Sequence, residues 1–574
     1  MRKIQLTATI LCLLAWNNNF AQWNTNPSEN TAICSTPPTQ AARTQIKTVS
    51  DGNNGMFVCW VDGRTVSGGS VYVQRVTNTN TALFTTNGVL VTGTTVSKGN
   101  LAMTTDGAGG VIISWTENND IYGQRIDANG NLLWSGDKLL SVTTAGNQSG
   151  TVVAAVNSNH AIAAFVDNRN SAASGNDIYL QKIDLATGNR LLTIDTPVCK
   201  APLNQTAIQI VPDGSGGAYV AWQDPRVATS DINVYAVRVN NDCLPVSGWT
   251  TDGNPVCIAT GNQTVPIMIS DRNNGVYITW GDFRAGSTNG DIYAQRIGLD
   301  GSPVWTTNGV PVNTNIGSQQ FQQILAVNDG AIFTWTDPRV STSDRNIFAQ
   351  KISLTAGDTL WTAGGVKICD ATGNQPSVTS DGLAITSDGN NGAIIVWNDT
   401  RNSGATGNDI YAQKINASGV VQWQNNGLLV SNAPANQGSI VGVEYVAATN
   451  GALVCWQDSR SGTTNGEIYG AHISSDGNLT NSLRNTPGLT GTIKAYPIPA
   501  QNEITLSLNG VKPGNYQMQI TDISGRILLQ HKTTFNGSNG LIQTNVQHLQ
   551  NGMYYIRLQH EESKAQSIYS FIKQ

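Results

Sequence analysis

The chain has 574 residues, of which 12% are charged and 39% hydrophobic, with 33 basic against 38 acidic side chains and a net charge of −5. Lys and Arg form no patch, which argues against nucleic acid as a partner, because phosphate binding depends on clustered cations. A chain this rich in Gly, Asn, Thr, Ser and Gln and this poor in charge has the composition of a turn-rich β protein.

Residues 1–21 have the pattern of a secretory signal peptide. Arg2 and Lys3 are followed by an apolar run from Ile4 to Trp16, and Ala21 is a small residue suited to cleavage. The run is too short to span a bilayer, and no later stretch is long and apolar enough for a transmembrane segment. Removal of the leader leaves seven cysteines, an odd number that does not make a complete disulfide framework. Cys34, Cys199, Cys257 and Cys369 recur at one motif position, and Cys59 and Cys455 at another, so they read as buried apolar slots. Cys243–Cys257 is the exception expected to pair.

From Gln40 to His472 one pattern recurs eight times: Asp-Gly-x-x-Gly, four apolar residues, Trp-x-Asp-x-Arg, then Asp-Ile-Tyr-x-Gln. Its aromatic anchor falls at Trp60, Trp115, Phe165, Trp222, Trp280, Trp335, Trp397 and Trp456, with gaps of 55, 50, 57, 58, 55, 62 and 59 residues. A period of that length identifies a repeat array rather than independent folds. Each unit contains four short β-branched or aromatic runs separated by Gly, Asp and Asn clusters, which predicts four antiparallel strands. The expected fold is all-β, an eight-bladed β-propeller over residues 22–483. The eighth unit lacks a fourth strand, whereas Trp23 and Ala32-Ile33-Cys34 match one. The N-terminal strand is therefore expected to close the ring.

The Asp-Gly-x-x-Gly segments at Asp51, Asp106, Asp213, Asp271 and Asp388 have one acid each. That suits a tight hairpin turn better than calcium, which needs several oxygen ligands. No other cofactor is indicated. Seven Asp/Arg pairs recur: Asp62/Arg64, Asp167/Arg169, Asp224/Arg226, Asp282/Arg284, Asp337/Arg339, Asp399/Arg401 and Asp458/Arg460. They read as structural ties, with Asp291 or Asp409 as further partners, because an active site is asymmetric and these pairs are not. The row Tyr72, Tyr122, Tyr179, Tyr235, Tyr293, Phe348, Tyr411 and Tyr469 is expected to pack between blades. No catalytic residue stands out: His160 and His472 occupy unrelated repeat positions. A non-enzymatic binding, adhesion or scaffold module, meeting glycan or a surface protein, is the leading expectation. The alternative is a polysaccharide hydrolase using loop acids such as Asp195, Asp252 or Asp300, with the irregular stretches 171–176, 228–231, 341–345 and 375–388 as discriminators.

After a linker at 484–494, residues 495–574 form a second β module. It contains Tyr496-Pro497-Ile498-Pro499-Ala500, then Asp522-Ile523-Ser524-Gly525-Arg526, then Gly552-Met553-Tyr554, and ends in Phe571-Ile572-Lys573-Gln574. In that order these motifs resemble the type A C-terminal sorting domain of proteins exported by the type IX secretion system of Bacteroidota. Ile498 departs from it, since that family usually has Asn there. The resemblance implies a small β-sandwich read by the outer-membrane translocon, and cargo that is secreted or attached to the outer surface of the outer membrane. Its sorting-signal residues would be Tyr496, Pro497, Pro499, Asp522, Gly525, Arg526, Gly552, Tyr554, Phe571 and Lys573. The repeats themselves resemble those of other exported proteins of these bacteria, which names no activity.

Overall fold

The computed structural model describes residues 23–35, 43–64, 68–142, 146–341, 344–375, 382–462, 466–479, 489, 492–522, 527–562 and 566–574. The signal peptide, most of the linker, and Gly525 and Arg526 lie outside them. The chain forms two compact units, Met1–Ser482 and Leu483–Gln574.

Among the described residues the first unit holds eight four-stranded antiparallel sheets. Seven are built from consecutive strands, beginning with Arg43–Ser50, Met56–Asp62, Ser70–Val76 and Val89–Thr92. The eighth takes Gln437–Val446, Gly451–Asp458 and Glu467–Ile473 from one end of the unit and Thr31–Cys34 from the other. In that sheet Thr31 pairs with Gly470 and Ala32 with Tyr469, and Trp23 just before it is buried. Numbered along the repeat, each sheet packs its first strand against the first strand of the next, and the eighth does so against the first.

Burial explains the residue choice. Every residue of the second strand Met56–Asp62 is buried, as is every residue of Ala393–Asp399. A strand covered on both faces cannot alternate apolar with polar, so these read as continuous Val, Ile and aromatic runs. First strands are only half-buried and alternate. Neighbouring sheets are stitched at one end by the fourth-strand tryptophans: Nε1 of Trp134, Trp249, Trp305, Trp361 and Trp423 donates to the carbonyls of Leu185, Leu299, Leu354, Ala417 and Ser475. Each acceptor belongs to the following repeat, so the bond satisfies a buried indole N–H and fixes the spacing of adjacent sheets.

Each first strand described from its start carries a β-bulge, with register shifts such as Thr44/Lys47, Thr264/Ile267 and Gln320/Gln323. The bulged residue is left-handed in six sheets: Gln45 (φ 52°), Asn100 (46°), Gly150 (58°), Ala207 (52°), Val265 (51°) and Phe321 (57°). Gly and Asn tolerate that conformation, whereas a β-branched or bulky residue is strained there.

The second unit has a three-stranded sheet (Thr492–Tyr496, Glu503–Asn509, Asn539–Asn545) and a four-stranded one (Gly514–Thr521, Ile527–Phe535, Gly552–His560, Gln566–Lys573). Ile504, Leu506, Leu508 and Ile542 of the first share one core with Tyr516, Met518, Ile520, Ile556 and Leu558 of the second.

Candidate functional site

At the end of each second strand the Trp-x-Asp-x-Arg motif folds into a closed corner. All seven aspartates of the pairs are 0% exposed. Asp399 shows why that burial is tolerated: its carboxylate accepts from Trp397 Nε1 (2.8 Å), Arg401 N (2.9 Å) and Arg401 Nη2 (2.5 Å). Arg401 Nη2 also donates to Asn426 O (2.9 Å) of its own sheet and approaches Cys369 Sγ (3.2 Å) of the preceding one. Equivalent bonds join Arg64 to Cys34 and Asn87 O, Arg226 to Cys199 and Asp252 O, and Arg284 to Cys257 and Asn308 O. Arg339 reaches Gly364 O, and Asn313 takes the cysteine's place by donating to Asp337 (3.1 Å). Arg460 binds Asn30 Oδ1 (3.1 Å) and Glu29 O of the N-terminal segment.

The tyrosine row packs between blades and also within its own sheet: Tyr72 shares a core cluster with Cys34 and Leu453 of the eighth sheet, and Tyr179 with Ile112 and Leu140 of the second. Each ring is the direct cross-strand partner of its own sheet's tryptophan, as Trp60 is of Tyr72 and Trp397 of Tyr411. Centroids in the stacked pairs lie 6.1–6.5 Å apart. The arginine covers the outer face, with guanidinium carbons 3.6–4.1 Å from the ring centroids of Tyr72, Tyr179, Tyr235, Tyr293, Phe348, Tyr411 and Tyr469. Each ring is thus held within its sheet as well, because positions opposite each other in a ladder meet directly.

Two corners vary. In the second sheet Glu117 accepts from Trp115 Nε1 (3.2 Å) and from Thr94 Oγ1, and the buried Lys98 ammonium lies 3.9 Å away in place of an arginine. In the third, Phe165 offers no indole N–H, and Arg169 is shared between Asp167 (2.5 Å) and Asp195 (2.9 Å). Asp291 and Asp409 are not arginine partners. They sit directly across the ladder from Asp282 and Asp399. Burial, and then the facing carboxylate, push Asp291 up to about 6.

At the opposite end of the sheets the Asp-Gly-x-x-Gly turns hold a second set of pairs that the sequence reading missed. Asp51 Oδ1 accepts from the N–H groups of Asn53 and Gly55 (both 2.7 Å), which closes the turn. Its Oδ2 meets Arg75 (3.0 Å), and Asp106–Arg125, Asp213–Arg238 and Asp271–Arg296 repeat the arrangement at 2.7–2.8 Å. The partner was legible as the basic residue after Gln in Tyr-x-Gln-Arg, across the ladder from the turn. Both oxygens of these turn aspartates meet protein donors.

The loop acids named for hydrolysis are also engaged, and in three different sheets. Asp195 accepts from Arg169 and Gln181, Asp252 from Lys200 N (2.7 Å), and Asp300 from Ser302. All seven described cysteines are buried free thiols, so Cys243 and Cys257 are not bonded to each other. Desolvation raises their pKa values, that of Cys369 to about 12, so they resist ionisation.

Recesses open where adjacent sheets meet near the start of their first strands, and the one between the eighth and first sheets is lined by the charged Arg43 and Lys47 with Gln45, Ser439 and Gln457. Between the fifth and sixth sheets a recess of about 280 Å³ is lined by Thr264, Val265, Ile267, Gly281, Phe283 and residues 319–323. Three of its residues fall at positions that vary from unit to unit. Gly281 stands where other units have Val61, Thr116, Val166, Gln223, Thr336, Asn398 and Gln457, and Phe283 is the aromatic exception between Asp and Arg. Phe321 occupies the left-handed bulge. Longer second-to-third-strand hairpins stand on both sides, turning at Ala228/Asp231 and Ser341/Asp344. Ile232 N binds Asn262 Oδ1 (3.0 Å) on one side, and Arg345 Nη1 reaches Ser318 O (3.4 Å) on the other. Two of the irregular stretches singled out in the sequence therefore flank this recess. The stretch 171–176 belongs to the third sheet, and 376–381 lie outside the described residues.

In the second unit Tyr554 stacks on Phe571 (5.6 Å), its ladder partner, and Gly552 pairs with Lys573. The final strand is tied back by Ala500 N to Ile572 O (2.8 Å) and Gln574 N to Ala500 O (2.9 Å). Tyr496, about half exposed, precedes Pro497 and Pro499, and Asp522 is half-buried.

These features define an all-β exported protein of propeller type with an appended C-terminal sandwich. Residues 494–573 match the secretion system C-terminal sorting domain, so this is type IX secretion cargo, delivered to the extracellular space or the outer-membrane surface. None of the curated proteins compared with the chain matches it. Solved structures similar to it include an endo-arabinase from Bacteroides thetaiotaomicron, at 12% identity and TM-score 0.26 over 45% of this chain and 95% of that one. An α-L-arabinofuranosidase from Fusarium graminearum matches at 9% identity and TM-score 0.33, over 56% and 97%. PorZ, a surface component of the type IX secretion system of Porphyromonas gingivalis, matches at 12% and 0.23, over 91% and 74%.

Proposed function

We propose that residues 22–483 form an eight-bladed propeller, pinned shut by the strand Thr31–Cys34, and that this ring is a non-enzymatic binding module. The signal peptide 1–21 starts its export, the linker 484–494 follows the ring, and the sandwich 495–574 carries it through the type IX translocon. The observation that carries the binding reading is the recess between the fifth and sixth sheets. Gly281, Phe283 and Phe321, from three variable positions, meet there, and no ionisable side chain lines it. The repeated acids, by contrast, are engaged by indole, guanidinium and backbone donors, which fits structural ties and not a charged ligand surface.

The test is a screen of the purified mature protein against polysaccharides and surface extracts. Retention without product release agrees with this reading; steady turnover overturns it. For the export half, deleting 496–574 in the producing bacterium should leave the protein in the periplasm, and undiminished surface display would remove the claim.

One observation favours the hydrolase alternative. Asp291 is raised to about 6 by burial and by the facing Asp282, and a carboxyl held protonated near neutral pH suits acid catalysis. That reading requires turnover which Asp291→Asn abolishes.

A further inference from the structure

We infer that the recess between the fifth and sixth sheets binds a single pyranose ring of a neutral polysaccharide. This rests on the binding-module reading and names the ligand class of the same site.

Gly281 has no left-handed φ, and a Cβ built on it would lie 3.4 Å from Thr264 Oγ1 and 4.0 Å from the Phe283 ring, ordinary contact distances. The fold would accept the larger residue most other units have at this position. Glycine here keeps the floor of the recess open. Phe321 argues from the other direction. At φ 57° the conformation suits Gly or Asn, as at Gly150 and Asn100, and an aromatic residue is strained. Val265, on the wall, is strained at φ 51° and more than half exposed. Gln45 and Ala207 adopt the same conformation in other sheets, so what is particular here is that both bulge residues, Val265 and Phe321, carry apolar side chains that line one recess.

The lining then selects a ligand. Phe283 and Phe321 line the recess from two different sheets, together with Val265 and Ile267. Gln320 and Gln323 line the same space, whereas Gln319 is a repeated structural residue whose Nε2 donates to Asn315 O (2.8 Å) and Gly317 O (2.6 Å). Gln322 is already held, its Nε2 donating to Val265 O (3.0 Å). Aromatic surface beside uncharged amides complements a molecule with one apolar face and a hydroxyl edge, which is a pyranose. An anionic sugar would find no cation in the lining. A peptide adding as a strand would need a straight edge, and both first strands here are broken by bulges, at Thr264/Ile267 and Gln320/Gln323. The volume, about 280 Å³, lies just below the roughly 300–1,000 Å³ of sites for larger small molecules, so one ring enters and the rest of the polymer lies outside.

The experiment measures binding of cello-, laminari-, manno- and xylohexaose to the mature secreted protein by calorimetry, with oligogalacturonate as the charged control. At least one neutral hexasaccharide should bind. Gly281→Val, which fills the floor, and Phe321→Gly, which relieves the bulge, should each weaken it about tenfold or more while the melting temperature does not fall. Failure of every neutral probe, or equal binding of oligogalacturonate, overturns the proposal. Binding that neither variant weakens also overturns it, while leaving the binding-module reading intact; product release would instead remove that reading.

Discussion

The corners built on Trp-x-Asp-x-Arg and the recess between the fifth and sixth sheets lie at the same end of the strands and use the same backbone, yet they are finished in opposite ways. At a corner such as Asp399, Arg401, Trp397 and Tyr411, the carboxylate meets three donors, and the guanidinium is capped by a ring and a neighbouring carbonyl. In the recess the aspartate corner persists underneath, but Gly281, Phe283 and Phe321 leave apolar surface and amides open to solvent. The difference teaches where to look for function in a repeat protein. Positions shared by every unit hold the array together, and positions that vary between units are free to do something else.

The comparison is broken most severely from the corner side. Arg401→Ala would leave Asp399 buried without its countercharge, and removing one member of a buried pair costs about 3 kcal/mol or more. Denaturant unfolding of the propeller unit should register that loss, and Arg64→Ala should cost a similar amount, since the corners are alike. A smaller effect is expected at Gly427, in the turn before the fourth strand of the seventh sheet. Its φ is 94°, and a Cβ would stand 2.5 Å from Trp397 Cη2. Gly427→Ala should therefore destabilise by about 2 kcal/mol, read the same way.

Asp291 sharpens the contrast through pH. Its folded-state value of about 6 lies above that of an ordinary carboxylate, so the fold holds the neutral acid better than the charged one. The stability gained is complete below about pH 4 and is lost as pH rises through about 6. Asp291→Asn should flatten that decline and raise the melting temperature at pH 7; an unchanged pH profile would contradict the carboxyl pairing. The smallest effect is expected in the recess. Phe321→Gly should leave stability nearly unchanged or raise it by a few tenths of a kcal/mol, because glycine suits the left-handed bulge. A loss of several kcal/mol would mean that Phe321 is core and that the recess is not a separate feature.

Much of the architecture was legible. Strand runs, turn glycines and the Trp, Asp and Arg positions recur at short, fixed spacing, and hydrogen-bond ladders depend on such local order. The bond from Arg401 to its own Asp399 spans two residues and needs no knowledge of the fold. The stacking of Tyr72 on Trp60 was not legible, because the two are 12 residues apart and meet only through the ladder register. The Asp51–Arg75 pair escaped notice for the same reason, across 24 residues.

The amino-acid sequence alone determined the repeat, its strands and turns, the internally paired corners and the sorting module, all encoded by neighbours along the chain. Tertiary structure decided which departures from the repeat belong together. Gly281 and Phe321 are 40 positions apart in the chain, and they share one recess because adjacent sheets pack first strand against first strand. Packing brings such distant residues together, and no periodicity within a single unit records it.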